Sequence, residues 1–184
     1  ARGDPTADPR RRELLERVLA AYQRALLDMA EMSTDPERRT LLSRAVAQLE
    51  AERQRDEGTT WRVHLRQRLP SDAALPLAEE LRSEGRVAEA RALAERLQSD
   101  MAEANETLRG AWGEDLVARA DVVVGSTWMD DDQPRRAEEL YQRALERLDV
   151  LEAELRDRGV GEAGLALVRV RRDVTGRNVL SVTA

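Results

Sequence analysis

The chain has 184 residues, which suits one domain or one repeat array, and it has no cysteine, which excludes disulfides, thiol catalysis and zinc–thiolate sites. Its formal charge of −6 is uneven: residues 1–70 carry 14 arginines and 12 acidic residues, whereas residues 71–184 carry 16 arginines and 24 acidic residues. The acidic excess in the larger part argues against binding to the phosphate backbone of nucleic acids. No apolar run approaches the roughly 20 residues that a membrane-spanning helix needs.

Helix-forming residues dominate the composition. Ala, Leu, Arg and Glu make up most of the chain, and residues that favour strands are scarce outside 121–124 and 165–170. Lys and Ile are absent along with Phe and Cys, a bias that we attribute to a bacterial genome of high GC content. The composition therefore predicts an all-α protein, and the absence of lysine needs no functional explanation.

The first elements along the chain are a tail and two long helices. We expect residues 1–8 to form a flexible tail. Residues 9–31 carry apolar residues at helical spacing, which predicts a helix whose core-facing seam is Leu15, Leu19, Tyr22, Leu26 and Met29, widened by Leu14 and Val18. A polar turn that contains Pro36 leads to a second helix over 35–56. Two helices joined by so short a turn form an αα-hairpin.

Residues 59–69 fit two secondary structures. Trp61, Val63 and Leu65 alternate as in a strand, yet the same segment also has a helical apolar face. Because the sequence offers no convincing partner strand, a short linker helix is preferred. His64, the only histidine, lies here, and a single imidazole without catalytic partners at motif spacing is read as an ordinary histidine.

The remaining sequence predicts five helices, separated by single glycines or short polar turns, over 72–84, 86–109, 113–129, 134–157 and 162–175. The predicted organisation has three parts: the tail at 1–8, an N-terminal helical hairpin plus short linker helix at 9–69, and a region of helix pairs at 71–184. We expect the last of these to form one continuous structural unit.

The most specific motif of the chain lies at 118–151. It comprises Val124-Gly125 and Trp128 in one predicted helix, then Ala137, Tyr141 and Ala144 in the next. These residues and spacings resemble the tetratricopeptide repeat (TPR), a helix–turn–helix unit of about 34 residues in which small residues let two helices approach closely. The resemblance implies that Ala137 and Ala144 are buried near Gly125, with Trp128 and Tyr141 beside them. Asp121 and Asp149 depart from the pattern, since the family has Trp and Pro there.

A weaker copy of the motif covers 71–104, where Leu77-Ala78 and Leu81 precede Ala90. A third partial copy is expected to begin near 162 and to turn at Gly176. The copies imply antiparallel helix hairpins stacked into a TPR-like, right-handed α–α superhelix. An irregular helical bundle is the alternative architecture.

The resemblance also implies a surface that binds partners. In TPR proteins the first helix of each repeat lines the binding face. The positions of this chain that correspond are Glu79 and Arg82 in the weaker copy, and Arg119, Val122, Ser126 and Met129 in the stronger copy. An arginine such as Arg82 or Arg119 suits a carboxylate of the partner.

These observations favour a non-enzymatic module for protein–protein interaction or scaffolding, which binds a peptide or protein partner. The alternative is a self-associating helical bundle, in which the chain forms a homodimer and serves as a structural or regulatory domain of a larger protein. Light scattering of the purified chain would distinguish a monomer from such a dimer.

No catalytic residue, cofactor or metal site is expected. The three acids Asp130–Asp132 lack the spaced ligands, central glycine and final glutamate of a calcium loop, and the glycines form no phosphate-binding loop. We expect neither nucleic acid nor a membrane as partner. The expected location is the cytoplasm, with export after removal of a signal as the alternative.

Overall fold

The computed structural model describes residues 9–55, 69–108 and 111–183, and every regular element among them is an α-helix. The predicted all-α fold is therefore confirmed. The helices in chain order are α1 (Pro9–Met32), α2 (Asp35–Arg55), α3 (Leu69–Ser83), α4 (Val87–Leu108), α5 (Ala111–Asp130), α6 (Pro134–Asp157) and α7 (Glu162–Thr183). Within these described stretches, no helix is both long and apolar enough to cross a membrane.

The last helix corrects one prediction. The turn predicted at Gly176 is wrong, because α7 continues through this residue to Thr183. Gly85 and Gly159, which do follow helix ends, have φ angles of 76° and 72°, whereas Gly176 stays within the helix. A glycine inside a helix costs only about 1 kcal/mol relative to alanine, so its helical neighbours carry the helix across it.

The chain divides into two compact units, residues 1–73 and 74–184, and the division falls within α3. The predicted tail at 1–8 lies outside the described residues. So do the predicted linker helix at 59–69 and His64, except that Leu69 is the first residue of α3.

In the first unit, α1 and α2 pack against each other as the predicted hairpin. The hydroxyl of Ser33 donates to the carbonyl of Met29 at 2.8 Å, and the carbonyl of Thr34 accepts the first helical bond of α2 from Arg38 at 2.8 Å. The backbone of the turn is thus satisfied locally. The buried apolar residues are Ala20, Leu26, Leu27 and Ala30 of α1 and Leu42, Ala45 and Leu49 of α2.

The buried face of α1 differs from the predicted seam. Tyr22 and Met29 are 37% and 49% exposed, and Leu14 and Val18 are 63% and 56% exposed, so these four members of the seam were misassigned. Ala20, Leu27 and Ala30 are buried instead. The spacing misleads here because α1 is apolar around most of its circumference, and periodicity then does not decide which side faces the core.

In the second unit, consecutive helices pack against each other: α4 against α5, α5 against α6, and α6 against α7. Alternate helices are joined as well. Arg82 of α3 pairs with Asp130 of α5 at 3.2 Å, and Arg171 of α7 pairs with Asp115 of α5. Ion pairs therefore connect α5 to both α3 and α7, while α4 and α6 pack directly against α5. One core cluster joins α5, α6 and α7 through Ala118, Ala144, Leu148, Leu151, Leu155, Leu165 and Val168.

The helices α5 and α6 approach closely at Gly125. A Cβ atom added to Gly125 would lie 2.7 Å from Cε1 of Tyr141, well inside van der Waals contact. Ala137 and Ala144 are fully buried and Tyr141 is 3% exposed, so the predicted burial of these residues is confirmed. Trp128 is half-buried, with arginine side chains over its ring.

Replacing Gly125 with alanine should destabilise the protein by about 1–3 kcal/mol, because the added methyl group would displace the ring of buried Tyr141. Gly176→Ala is the matched control, since nothing lies within 4 Å of a Cβ atom there. The control should stabilise the protein by about 0.5–1 kcal/mol, as alanine does in a helix. Urea unfolding measures both free energies, and an unchanged value for Gly125→Ala would contradict the close approach.

Candidate binding surface

The two candidate binding residues of α3 already have partners within the chain. The guanidinium of Arg82 donates to Glu79 at 3.1 Å and to Asp130 at 3.2 Å. Partial burial lowers the pKa of Arg82, but the two carboxylates raise it by more, so its pKa lies above the usual arginine value and the group stays charged. A carboxylate from a partner protein would have to share or displace these bonds. Within the chain, Arg82 links α3 to the end of α5.

The other four candidates, Arg119, Val122, Ser126 and Met129, follow one side of α5 and are called the α5 stripe. All four are half-buried. Val122 packs against the core cluster, and the hydroxyl of Ser126 donates to the Val122 carbonyl at 3.0 Å and lies 3.2 Å from the Tyr141 hydroxyl. The stripe therefore presents the edges of side chains that are already positioned by their neighbours.

An arginine that the sequence patterns did not indicate fixes the end of α5. Arg91 of α4 lies over the ring of Trp128, with its guanidinium carbon 3.6 Å from the ring centre. The same guanidinium donates to the carbonyl of Thr127 at 2.7 Å and to Asp131 at 2.5 Å. Arg136 of α6 also lies over Trp128, at 4.5 Å from the ring centre. These contacts hold the C-terminal end of the α5 stripe in one position.

The three aspartates that follow the stripe form the predicted turn between helices, and all three are exposed. Asp130 is the last residue of α5 and binds Arg82, while Asp131 binds Arg91. Asp132 has a φ of 55°, a left-handed conformation that aspartate tolerates better than most residues. Because Arg82 belongs to α3 and Arg91 to α4, this turn ties both helices to α5.

A buried carboxylate lies deeper between the helices. Asp121 of α5 is 1% exposed, accepts a hydrogen bond from Gln98 of α4, and lies 3.3 Å from both Arg143 and Arg147 of α6. Burial raises the pKa of Asp121, and the two arginines and Gln98 oppose the rise only in part. Arg147 also donates to Glu114 at 2.8 Å. Asp121 thus joins three helices at the position where the TPR pattern has tryptophan.

A second buried carboxylate joins α6 to α7. Glu152 is 5% exposed and accepts hydrogen bonds from Arg156 at 2.7 Å, from Arg169 at 2.8 Å and from Arg172 at 2.8 Å. The hydrogen bond from Arg169 lowers the pKa of Glu152 most; burial opposes this, and the charges of Arg172, Arg169 and Arg156 lower it further. Two of the three arginines belong to α7, so this group fixes how the last two helices meet.

Sequence reasoning found Asp121 only as a departure from the TPR pattern, and it missed Glu152. A signal for Glu152 was present, because it follows Leu148 by four residues and precedes Leu155 by three. That spacing places a carboxylate on the apolar side of a helix. In a chain rich in arginine, such a position predicts an arginine partner, although it does not say which one.

A groove that is open to solvent lies beside Trp128, and its charged lining residues are of both signs. It is lined by Trp128, Arg136, Glu138, Glu139, Leu140, Gln142 and Arg143. It is not an enclosed cavity of the kind that usually holds a small ligand. Among the residues whose placement is described, no group of three or more His, Asp or Glu side chains could hold a metal ion. The expectation of no catalytic, cofactor or metal site remains a prediction.

The sequence matches no protein-family model and no curated protein. The resemblance to TPR repeats therefore rests on residues and spacings of this chain alone. The structure adds the close approach at Gly125, which belongs to that pattern, and ion pairs between alternate helices, which lie outside it. A function is accordingly inferred from the surfaces of the chain.

Replacing Glu152 with glutamine should lower the unfolding temperature at neutral pH, because three arginines lose the negative charge that they share and an amide NH2 group replaces one acceptor oxygen. The folded-state pKa of Glu152 is lowered, so its contribution is fully present above the ordinary value of 4.5 and is lost as the pH falls through the folded-state pKa. The difference between variant and parent should therefore shrink in acid.

Thermal unfolding followed by circular dichroism over a pH series measures this difference. Glu154→Gln is the matched control on the same helix, since Glu154 is exposed and pairs only with Arg158 at 3.5 Å among its described contacts. The control should stay close to the parent at every pH. If the difference in unfolding temperature between Glu152→Gln and the parent stayed constant from neutral to acidic pH, the stabilising role assigned to the Glu152 carboxylate would be contradicted.

Proposed function

We propose that the chain is a non-enzymatic module that binds a peptide or protein partner along the α5 stripe, on a framework of TPR-like helix hairpins. The observation that carries the proposal is the ion pair that connects the alternate helices α3 and α5. The pair between Arg82 and Asp130 joins α3 to α5, next to Met129, and so brings the candidate residues of both helices to adjoining positions. A binding face made from alternate helices is what the TPR resemblance implies.

The chemistry of the stripe supports the same proposal. Arg119 supplies a cation, Ser126 a hydroxyl, and Met129 a flexible thioether that adapts to different apolar side chains. Such a mixture suits a peptide in which an apolar side chain lies near a carboxylate. The contacts of Arg91 with Trp128 and Asp131 fix the end of α5 beforehand, which reduces the entropy lost when a partner binds.

A peptide library displayed on phage and selected on the immobilised chain tests the proposal. Selected peptides should bind the parent chain and lose at least about tenfold in affinity for the double variant Arg119→Glu, Met129→Glu, because the variant reverses a charge and removes an adaptable apolar contact. Enriched peptides should carry acidic and apolar residues close together. Isothermal titration calorimetry measures the affinities.

Glu146→Arg is the control, since it is an exposed charge reversal on α6, away from the stripe. It should leave the affinity unchanged, and circular dichroism should show the helical content of the parent in both variants. Selected peptides that bind the stripe variant as tightly as the parent would show that the α5 stripe is not the binding surface. A selection that enriches no peptide would contradict peptide binding itself.

A further inference from the structure

The helix α1 of the first unit carries a second apolar face in addition to the one that is buried in the hairpin. The α1 apolar face consists of Leu14, Val18, Ala21, Tyr22, Ala25, Met29 and Met32, all of which are exposed. Spacings of three and four residues place them in one line along the helix, and at a rise of about 1.5 Å per residue this line is about 27 Å long. No charged residue interrupts it between its two ends. A continuous exposed apolar face of this kind marks an interaction surface.

Charges border this face in a defined order. Arg17 and Asp28 lie along the same edge, one towards each end of the face. The midpoint between them falls between Tyr22 and Gln23, which is also the middle of the apolar face. Arg24 lies on the same edge near the centre, where its guanidinium pairs with Asp72 of the same chain at 3.4 Å. Apart from that pair, the apolar residues extend equally in both directions from the centre, with a cation on one side and an anion on the other.

We propose that the α1 apolar face binds a second copy of this chain, with the two α1 helices antiparallel about a two-fold axis near Tyr22. In this arrangement Arg17 lies opposite Asp28 of the partner subunit, and Asp28 lies opposite Arg17 of the partner subunit. A parallel pair would instead place the charged edges of the two helices on opposite sides of the interface, so neither pair could form. Charge complementarity thus selects a second, antiparallel copy, and the shared centre of the apolar and charged residues gives the axis.

The size of the α1 apolar face determines how strongly the two copies are expected to associate. Five large apolar side chains from each copy would bury on the order of 1,000 Å² in total, near the lower limit for a specific protein interface. We therefore expect a dimer that forms and dissociates with protein concentration rather than an obligate one. The α1 apolar face lies wholly in the first unit and shares no residue with the α5 stripe.

Sedimentation velocity over roughly a hundredfold range of concentration tests the association, because a reversible dimer follows mass action. The parent chain should shift from monomer to dimer, and Val18→Glu should remain monomeric throughout. Val170→Glu is the matched control, since Val170 is exposed to a similar degree, 60% against 56%, but lies on α7. A monomeric parent at all concentrations overturns the proposal, and so does a dimer that Val18→Glu leaves intact or that Val170→Glu abolishes.

Charge reversal and distance measurements test the orientation. Arg17→Glu alone and Asp28→Arg alone should each weaken the dimer, because each brings like charges together, and the double reversal should restore it. The chain has no cysteine, so a nitroxide label attached through Met32→Cys reports on one site only. Antiparallel helices place two such labels about 28 Å apart along the helix axis, whereas parallel helices place them side by side. A short label distance, or a double reversal that does not restore the dimer, overturns the antiparallel arrangement.

Discussion

The second unit depends on carboxylates that are buried between helices and bound by arginines of the neighbouring helices. Asp115, Asp121 and Glu152 are all buried, and each is paired with at least one arginine of another helix. A buried carboxylate without its cation costs several kcal/mol, so the helices must meet where the pairs can form. Sliding one helix by a single turn, about 5.4 Å, would separate donor from acceptor. The pairs thus select one alignment from the several that an Ala- and Leu-rich interior would accept.

Small residues supply the complementary constraint. Ala137 and Ala144 let α6 lie close to α5, and Gly125 leaves room for the ring of Tyr141. This part of the fold could be predicted from the sequence, because α6 has one apolar side while its other sides are charged. The apolar spacing is therefore consistent with only one buried face. The face of α1 could not be predicted in the same way. Its apolar residues encircle most of the helix, and both the observed core and the predicted seam satisfy helical spacing.

The candidate site was predictable in position but not in its contacts. The repeat resemblance located the α5 stripe, and local spacing placed its four residues on one side of the helix. The partners that fix the site are distant in sequence: Arg91 and Asp131 are 40 residues apart, and Arg82 and Asp130 are 48 apart. A single sequence gives the chemical types of such partners but not their pairing, since many arginines and acids of the chain could pair equally well. Only the stacking of the helices decides among them.

The two proposed surfaces lie on different helices, and this separation connects the two proposals. The α1 apolar face belongs to the first unit, whereas the α5 stripe belongs to the second. Association through α1 uses no residue of the α5 stripe, so each dimer would carry two copies of the stripe. Two linked sites bind a partner with two matching segments more tightly than either site alone, because the second contact is made at high effective concentration. A weak dimer and a weak peptide site would then reinforce each other, since a bivalent partner that binds both stripes also holds the two copies together.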